Sequence, residues 1–247
     1  MKLDVIGSGS NGNCYLLTDN DGVMLIVEAG VHPVDVKKAI NYNLENVSAC
    51  IFTHGHQDHC KAINHLAASG VPIYASKGTL EETNMIDHHR SVILEPMKKV
   101  KIGPYTVLGF NTIHDTKEPF GFVVHHPESG SICFITDTVY SPFKFANISH
   151  WIVEANYCED IIEEKRKSGS ENQFLRDRVL SSHMSFQNLQ DMLRANDLSK
   201  TRTITLIHLS DRNSNEIEFK RKIEEEFIKE TYIADSGLSI NLNKYAF

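Results

Sequence analysis

The sequence predicts an α+β chain in which two β-sheets are sandwiched between helices. Short apolar runs alternate with stretches of helical spacing along all 247 residues. The middle, 92–136, is almost continuously strand-like, and helices follow each half of the chain instead of following every strand. No Gly-x-Gly-x-x-Gly opens a helix and no P-loop lysine is present, so a doubly wound nucleotide-binding sheet fits less well.

Residues 3–7 and 14–18 read as strands around a Gly/Ser/Asn loop, GSGSNGN at 7–13, and 23–30 holds a third strand after the turn at Asn20-Asp21-Gly22. The loop lacks the Lys-Ser/Thr of a phosphate cradle, so a tight turn tolerating positive φ is expected of it. A short helix is expected over 33–41 and a buried strand over 48–54. A further helix over 58–69 puts Ile63, Leu66 and Ala67 on one face, with Gly70 as its stop. A strand at 71–76 and a helix near 78–87 lead into the strand-rich middle, which turns at Gly103-Pro104 and Glu128-Ser129-Gly130. A strand at 150–156, helices over 158–180 and 185–196, a strand at 202–209 and a helix over 213–230 follow, with Ser185 as an N-cap and two short strands last. Nothing reads as a linker or a fixed-period repeat, so one domain over 1–247 is expected.

The composition, 41% hydrophobic and 23% charged, is that of a folded chain. No apolar run reaches the roughly 18 residues of a membrane span, and the N-terminal residues have no signal-peptide pattern, so a cytoplasmic protein without a membrane partner is expected. Cys14, Cys50, Cys60, Cys133 and Cys158 are widely spaced and form no Cys-x-x-Cys, which argues against a disulfide framework or a thiolate zinc knuckle. The net charge of −7 counts against a nucleic-acid binder that relies on an overall basic surface. The unusual residue is histidine, the commonest metal ligand, with 13 copies.

Three of those histidines and a carboxylate fall within six residues, His54, His56, Asp58 and His59, where a strand ends and a helix begins. On extended backbone His54 and His56 project to one side, while Asp58 and His59 start the helix and face another part of the same volume. Further candidates also end apolar runs: His114, Asp137 and His208. Together they supply three histidines for one metal, Asp58, His59 and His208 for a second, and Asp137 between. Nitrogen and oxygen donors without thiolate fit Zn²⁺, Mn²⁺ or Fe²⁺, and such a set leaves positions open for water, as catalytic sites do.

The segment Thr53-His54-Gly55-His56-Gln57-Asp58-His59 resembles the H-x-H-x-D-H signature of the metallo-β-lactamase superfamily, and His114, Asp137 and His208 match its later ligands in order. Within that superfamily the chain is similar to the YycJ/WalJ-type exonucleases, through GSGSNGNCYLL, HDTKEPFGF after residue 113, ITD at 135–137, SHMS at 182–185 and HLSDRNSN at 208–215. The resemblance implies an αββα four-layer sandwich and two divalent ions, zinc or manganese. His54, His56 and His114 would hold the first ion and Asp58, His59 and His208 the second, with Asp137 bridging. It also implies phosphodiester hydrolysis at a DNA 5′ end. Asp58 would orient an attacking hydroxide, or take the proton of the water it comes from, and His183 would face the substrate phosphate and act at the leaving side. The family's Val-Asp-Ala-Gly reads Val27-Glu28-Ala29-Gly30 here, so Glu28 takes the place of the acid that orients a metal-bound histidine. The charged stretch Lys165-Arg166-Lys167 with Arg176 and Arg178 is expected mostly as a solvated helix face.

Two other functions are weighed against a DNA 5′-exonuclease. The charge of −7 favours hydrolysis of a small substrate such as a cyclic nucleotide, phosphoester, thioester or lactone. Glu28 leaves open a catalytically weakened binding protein on the same fold.

Overall fold

The computed structural model describes residues 1–168 and 173–245. Successive residues of a strand turn to opposite faces and residues two apart share one, and this alternation builds the layers. The first sheet is made by β1 (Lys2–Gly7), β2 (Cys14–Thr18), β3 (Met24–Val27), β4 (Val47–Ile51), β5 (Ile73–Ala75) and β6 (Ser91–Ile93). The second comprises β7 (Lys99–Ile102), β8 (Tyr105–Asn111), β9 (Phe120–His126), β10 (Gly130–Ile135), β11 (Ile148–Glu154), β12 (Thr203–Ile207) and β13 (Glu230–Ile233). A last strand, β14 (Ser239–Asn241), returns to the first sheet beside β1, giving the orders β14-β1-β2-β3-β4-β5-β6 and β13-β12-β11-β10-β9-β8-β7. In each sheet an antiparallel portion joins four parallel strands, β3 to β6 in one and β10 to β13 in the other.

In β2, Tyr15 and Leu17 face the second sheet and meet Phe122, Phe134, Ile152 and Ile207, all buried between the two sheets. Cys14 and Leu16 face the other way, onto the helices α1 (Pro33–Ala39), α2 (Gln57–Cys60), α3 (Ile63–Ala68) and α4 (Lys77–Glu82). On the far side of the second sheet, Trp151, Ile204 and Leu206 pack with α7 (Phe186–Arg194) and α8 (Glu216–Phe227). The order is therefore helices, sheet, sheet, helices. Each fully buried Leu, Ile or Phe contributes roughly 1.5–3 kcal/mol. No helix among the described residues is long and apolar enough to cross a membrane.

Two expectations need correction. The single helix over 58–69 is two, α2 and α3, because a loop is stitched into the gap: Ala29 N donates to His59 O and Ala62 N donates to Ala29 O. At Gly30 in that loop a Cβ would lie 1.7 Å from Asp58 O, so a side chain there would drive the metal-candidate segment away. The helix over 158–180 is α5 (Glu159–Ser168) and α6 (Gln173–Ser182) in its described parts, and 169–172 lie outside the described residues. Ser185 caps α7 as expected, its Oγ accepting from Asn188 N.

Candidate metal centre

The parallel strands β3, β4 and β10–β12 all end at one edge of the sandwich, and the candidate residues sit just past those ends. Glu28 follows β3, His54 to His59 follow β4, and Asp137 and His208 follow β10 and β12. His114 lies three residues beyond β8 instead of closing it. Glu28, Asp137 and His208 have φ of 65°, 44° and 53°, the left-handed region that turns a strand end sharply inward.

All seven predicted ligands converge. The rings of His54, His56 and His114 have centroids 4.7–4.9 Å apart, and His56 Nδ1 lies 3.1 Å from His114 Nε2. Asp58 Oδ2 is 3.4 Å from His59 Nε2 and 3.6 Å from His208 Nε2. Asp137 stands between the sets with its carboxylate divided. Oδ2 lies 3.9 Å from His54 Nε2 and 3.7 Å from His114 Nε2, and Oδ1 lies 3.4 Å from His59 Nε2 and 3.8 Å from His208 Nε2. His54 Nε2 and His208 Nε2 are buried and have no hydrogen-bond partner. Buried polar atoms without partners are costly, and a divalent ion coordinated by these nitrogens removes that cost, so the residues fit one ion in each set.

The electrostatics follow from burial and crowding. Burial holds the His54 and His114 imidazoles below their usual pKa. Burial acts the same way on His208, but Asp137, Asp58 and Glu154 outweigh it and lift its pKa to about 10. His59 is raised in the same manner, mainly by Asp137. Burial works to raise the two aspartates, yet the surrounding imidazoles hold both well below the carboxylate range.

His183, expected to face the substrate, does belong to the cluster. Its ring stacks on that of His208 at 5.3 Å and 15°, and its Nδ1 is 2.7 Å from Glu154 Oε1. Burial would neutralise it, but Glu154 prevails and its pKa is raised. Glu28 lies where the orienting acid was expected, Oε2 being 3.4 Å from His59 Nδ1 while Oε1 accepts from Thr53 N at 2.9 Å.

Three participants were missed. Glu154, fully buried at the end of β11, accepts from Thr138 N and Met184 N on Oε2 and faces His183 and His208 with Oε1. The available signal was an acid closing the apolar run HWIV. Asn156 donates through Nδ2 to His208 O and lies 3.1 Å from His208 Nδ1. Asn13, the last residue of GSGSNGN, donates to Asp58 O and lies 3.2 Å from His59 Nε2. That loop is a turn, as expected, but one built against the centre, with Ser8 Oγ accepting from His208 N. The basic stretch is only partly a solvated face: Arg166 pairs with Glu163, whereas Lys165 reaches Arg212 O and Asn213 Oδ1 in the loop after β12.

The fold and this strand-end cluster define a class. The family model described as the beta-lactamase superfamily domain matches residues 28–209, and the chain belongs to that superfamily. More narrowly, it is similar to exodeoxyribonuclease WalJ of Streptococcus pneumoniae, 26% identical over 99% of this chain and 93% of the relative. It is also similar to exodeoxyribonuclease YycJ of Bacillus anthracis, 28% identical over 88% and 86%. Among solved structures, the metallo-beta-lactamase fold protein YhfI of Bacillus subtilis superposes with a TM-score of 0.74 at 20% identity, covering 97% of this chain and 98% of that one. The chain is a metal-dependent hydrolase of this superfamily.

Proposed function

We propose that this hydrolase is a DNA exonuclease working from a 5′ end. His54, His56 and His114 would hold one divalent ion, zinc or manganese, Asp58, His59 and His208 would hold the other, and Asp137 would serve both. The observation that carries the reading is the division of the Asp137 carboxylate between two imidazole sets that contain unpartnered buried nitrogens. The substrate is drawn from relatives that align over nearly the whole chain and are exodeoxyribonucleases.

The chemistry that two such ions supply when bound is activation of water near neutral pH and neutralisation of charge on the phosphoryl oxygens. Asp58, 30% exposed, orients the attacking water and takes its proton. Glu154 engages His183 at Nδ1, so Nε2 is the atom left to donate a proton to the departing oxygen. Glu28 fixes the His59 ring from behind and Asn156 fixes His208.

A small phosphodiester is the second reading, favoured by the net charge of −7 and by the half-exposed carboxylate of Asp115, 3.3 Å from His114 Nε2. The test incubates protein reconstituted with Mn²⁺ or Zn²⁺ with 5′-labelled single- and double-stranded DNA, RNA and cyclic dinucleotides in parallel. Stepwise release from DNA 5′ ends, with binding that weakens steeply as salt rises, is expected. Turnover confined to cyclic dinucleotides selects the second reading. No turnover on any phosphodiester overturns both.

A further inference from the structure

At the end of the second sheet opposite the metal centre lies a concavity of about 510 Å³. Its floor is made by Ser131 and Ser149 at the starts of β10 and β11 and by the residues that enter β12. Asp137, Glu154 and His208 stand five or six residues further along the same strands, which at about 3.3 Å per residue separates the two places by roughly 17–20 Å.

The lining carries three permanent cations, Lys200, Arg202 and Lys244, and no Asp or Glu, in a chain of net charge −7. Among the described residues none of these cations is held in an ion pair. The acids nearest in sequence to the rim are already engaged: Glu128 Oε2 binds the Met1 ammonium at 2.7 Å and its Oε1 accepts from Asn20 N, while Asp197 Oδ1 accepts from Ser199 N at 2.9 Å and feels Lys200 only as a weaker influence. Of Glu128 only the backbone oxygen serves Lys244, accepting from Lys244 N. Two neighbouring imidazoles register the positive field. His125, in the lining, has its pKa lowered by burial and then by Lys244, and His150 by burial and, more weakly, by Arg202. The backbone beneath is fixed, since Arg202 N donates to Ser149 O at 2.8 Å and Thr201 Oγ1 accepts from Trp151 Nε1. Tyr245 is exposed at the rim, and Lys244 Nζ stands over its ring, 5.2 Å from the centroid.

We propose that this pocket is a second ligand site, separate from the metal centre, for a phosphate-bearing molecule of mononucleotide size. Lys200, Arg202 and Lys244, which line one concavity, receive the phosphate, and the exposed edge of Tyr245 borders the flat organic part. The volume lies within the range of small-molecule sites. A polymer strand seated at the metal centre would have to round the sandwich to reach it, so the ligand is a free small anion, and the proposal does not depend on the exonuclease reading.

The test is equilibrium dialysis of the full chain against radiolabelled deoxyadenosine 5′-monophosphate in excess chelator, which keeps divalent ions out of the metal centre. Saturable one-site binding at millimolar or lower concentration is expected, displaced by inorganic phosphate and not by deoxyadenosine. The double variant Lys200→Glu/Lys244→Glu should lose about ten-fold or more in affinity. Lys200→Ala/Lys244→Ala should lose less, and both variants should melt as the parent does because the two lysines are exposed. Absence of saturable binding, displacement by deoxyadenosine as readily as by phosphate, or unchanged affinity in the charge-reversed protein would each overturn the proposal.

Discussion

Replacing Glu154 by Gln probes how the centre controls a proton. The substitution keeps the shape of a fully buried side chain. The amide oxygen can take the position of Oε2 and still accept from Thr138 N and Met184 N, at 3.2 and 3.0 Å in the parent. The amide nitrogen then replaces Oε1, which sits 2.7 Å from His183 Nδ1 and 3.3 Å from His208 Nδ1. An –NH₂ there cannot accept from an imidazole N–H. His183 loses a charge-assisted hydrogen bond worth about 2–3 kcal/mol and with it the support for its protonated form. Glu154 raises the His183 pKa, so the protonated acid persists to higher pH in the parent and disappears at lower pH in the variant. The expected result, measured at saturating metal because His208 Nδ1 also loses its anionic neighbour, is a kcat lower by about 10²–10³-fold and a basic limb of the pH–rate profile moved to lower pH. A variant with parental kcat and an unmoved basic limb would refute the role given to His183 and Glu154.

Asp58→Ala should abolish hydrolysis and leave the melting temperature within about 2 °C of the parent, since the side chain is partly exposed; full metal-dependent activity in a single-turnover assay would remove Asp58 from the mechanism. Glu28→Gln should weaken metal binding by about 10–100-fold, measured by competition with a chromophoric chelator, because the buried His59 Nδ1 loses its anionic neighbour. His150, buried beside Thr203 and remote from the metal centre, has its pKa lowered to about 4 by burial. A depressed histidine resists protonation in the folded state, so stability is whole above about pH 6.5 and is lost as pH falls toward 4, by about 3 kcal/mol for this group. Urea titrations across that window should show the loss, and His150→Gln should flatten it.

Strand-borne parts of the fold were legible because their physics is local. Short apolar runs marked nearly every strand, and the candidate ligand histidines stood out by following such runs. What escaped depends on residues distant in the chain. The break between α2 and α3 comes from Ala29, some thirty residues earlier, and no helical spacing encodes it. Glu154 reads as one polar residue in a strand until β10, β12 and the segment before α7 surround it. GSGSNGN announces a turn, but Asn13 becomes part of the centre only once Asp58 and His59 are folded against it. Glu28 illustrates the converse, since its departure from the family acid was visible at once and its 3.4 Å approach to His59 was not.

The left-handed backbone at Glu28, Asp137 and His208 also bears on how this scaffold can evolve. A non-glycine residue held at positive φ costs on the order of 1–3 kcal/mol, and here three such residues surround one site. Glycine would relax the backbone at each position, removing a candidate ligand at Asp137 or His208 and the carboxylate behind His59 at Glu28. Selection for heat resistance alone therefore pulls these positions toward inactivity, while selection for turnover holds them against their own conformational preference. A lineage that abandons chemistry should reveal it first there, by acquiring glycine or asparagine at strand ends whose apolar interiors are left untouched.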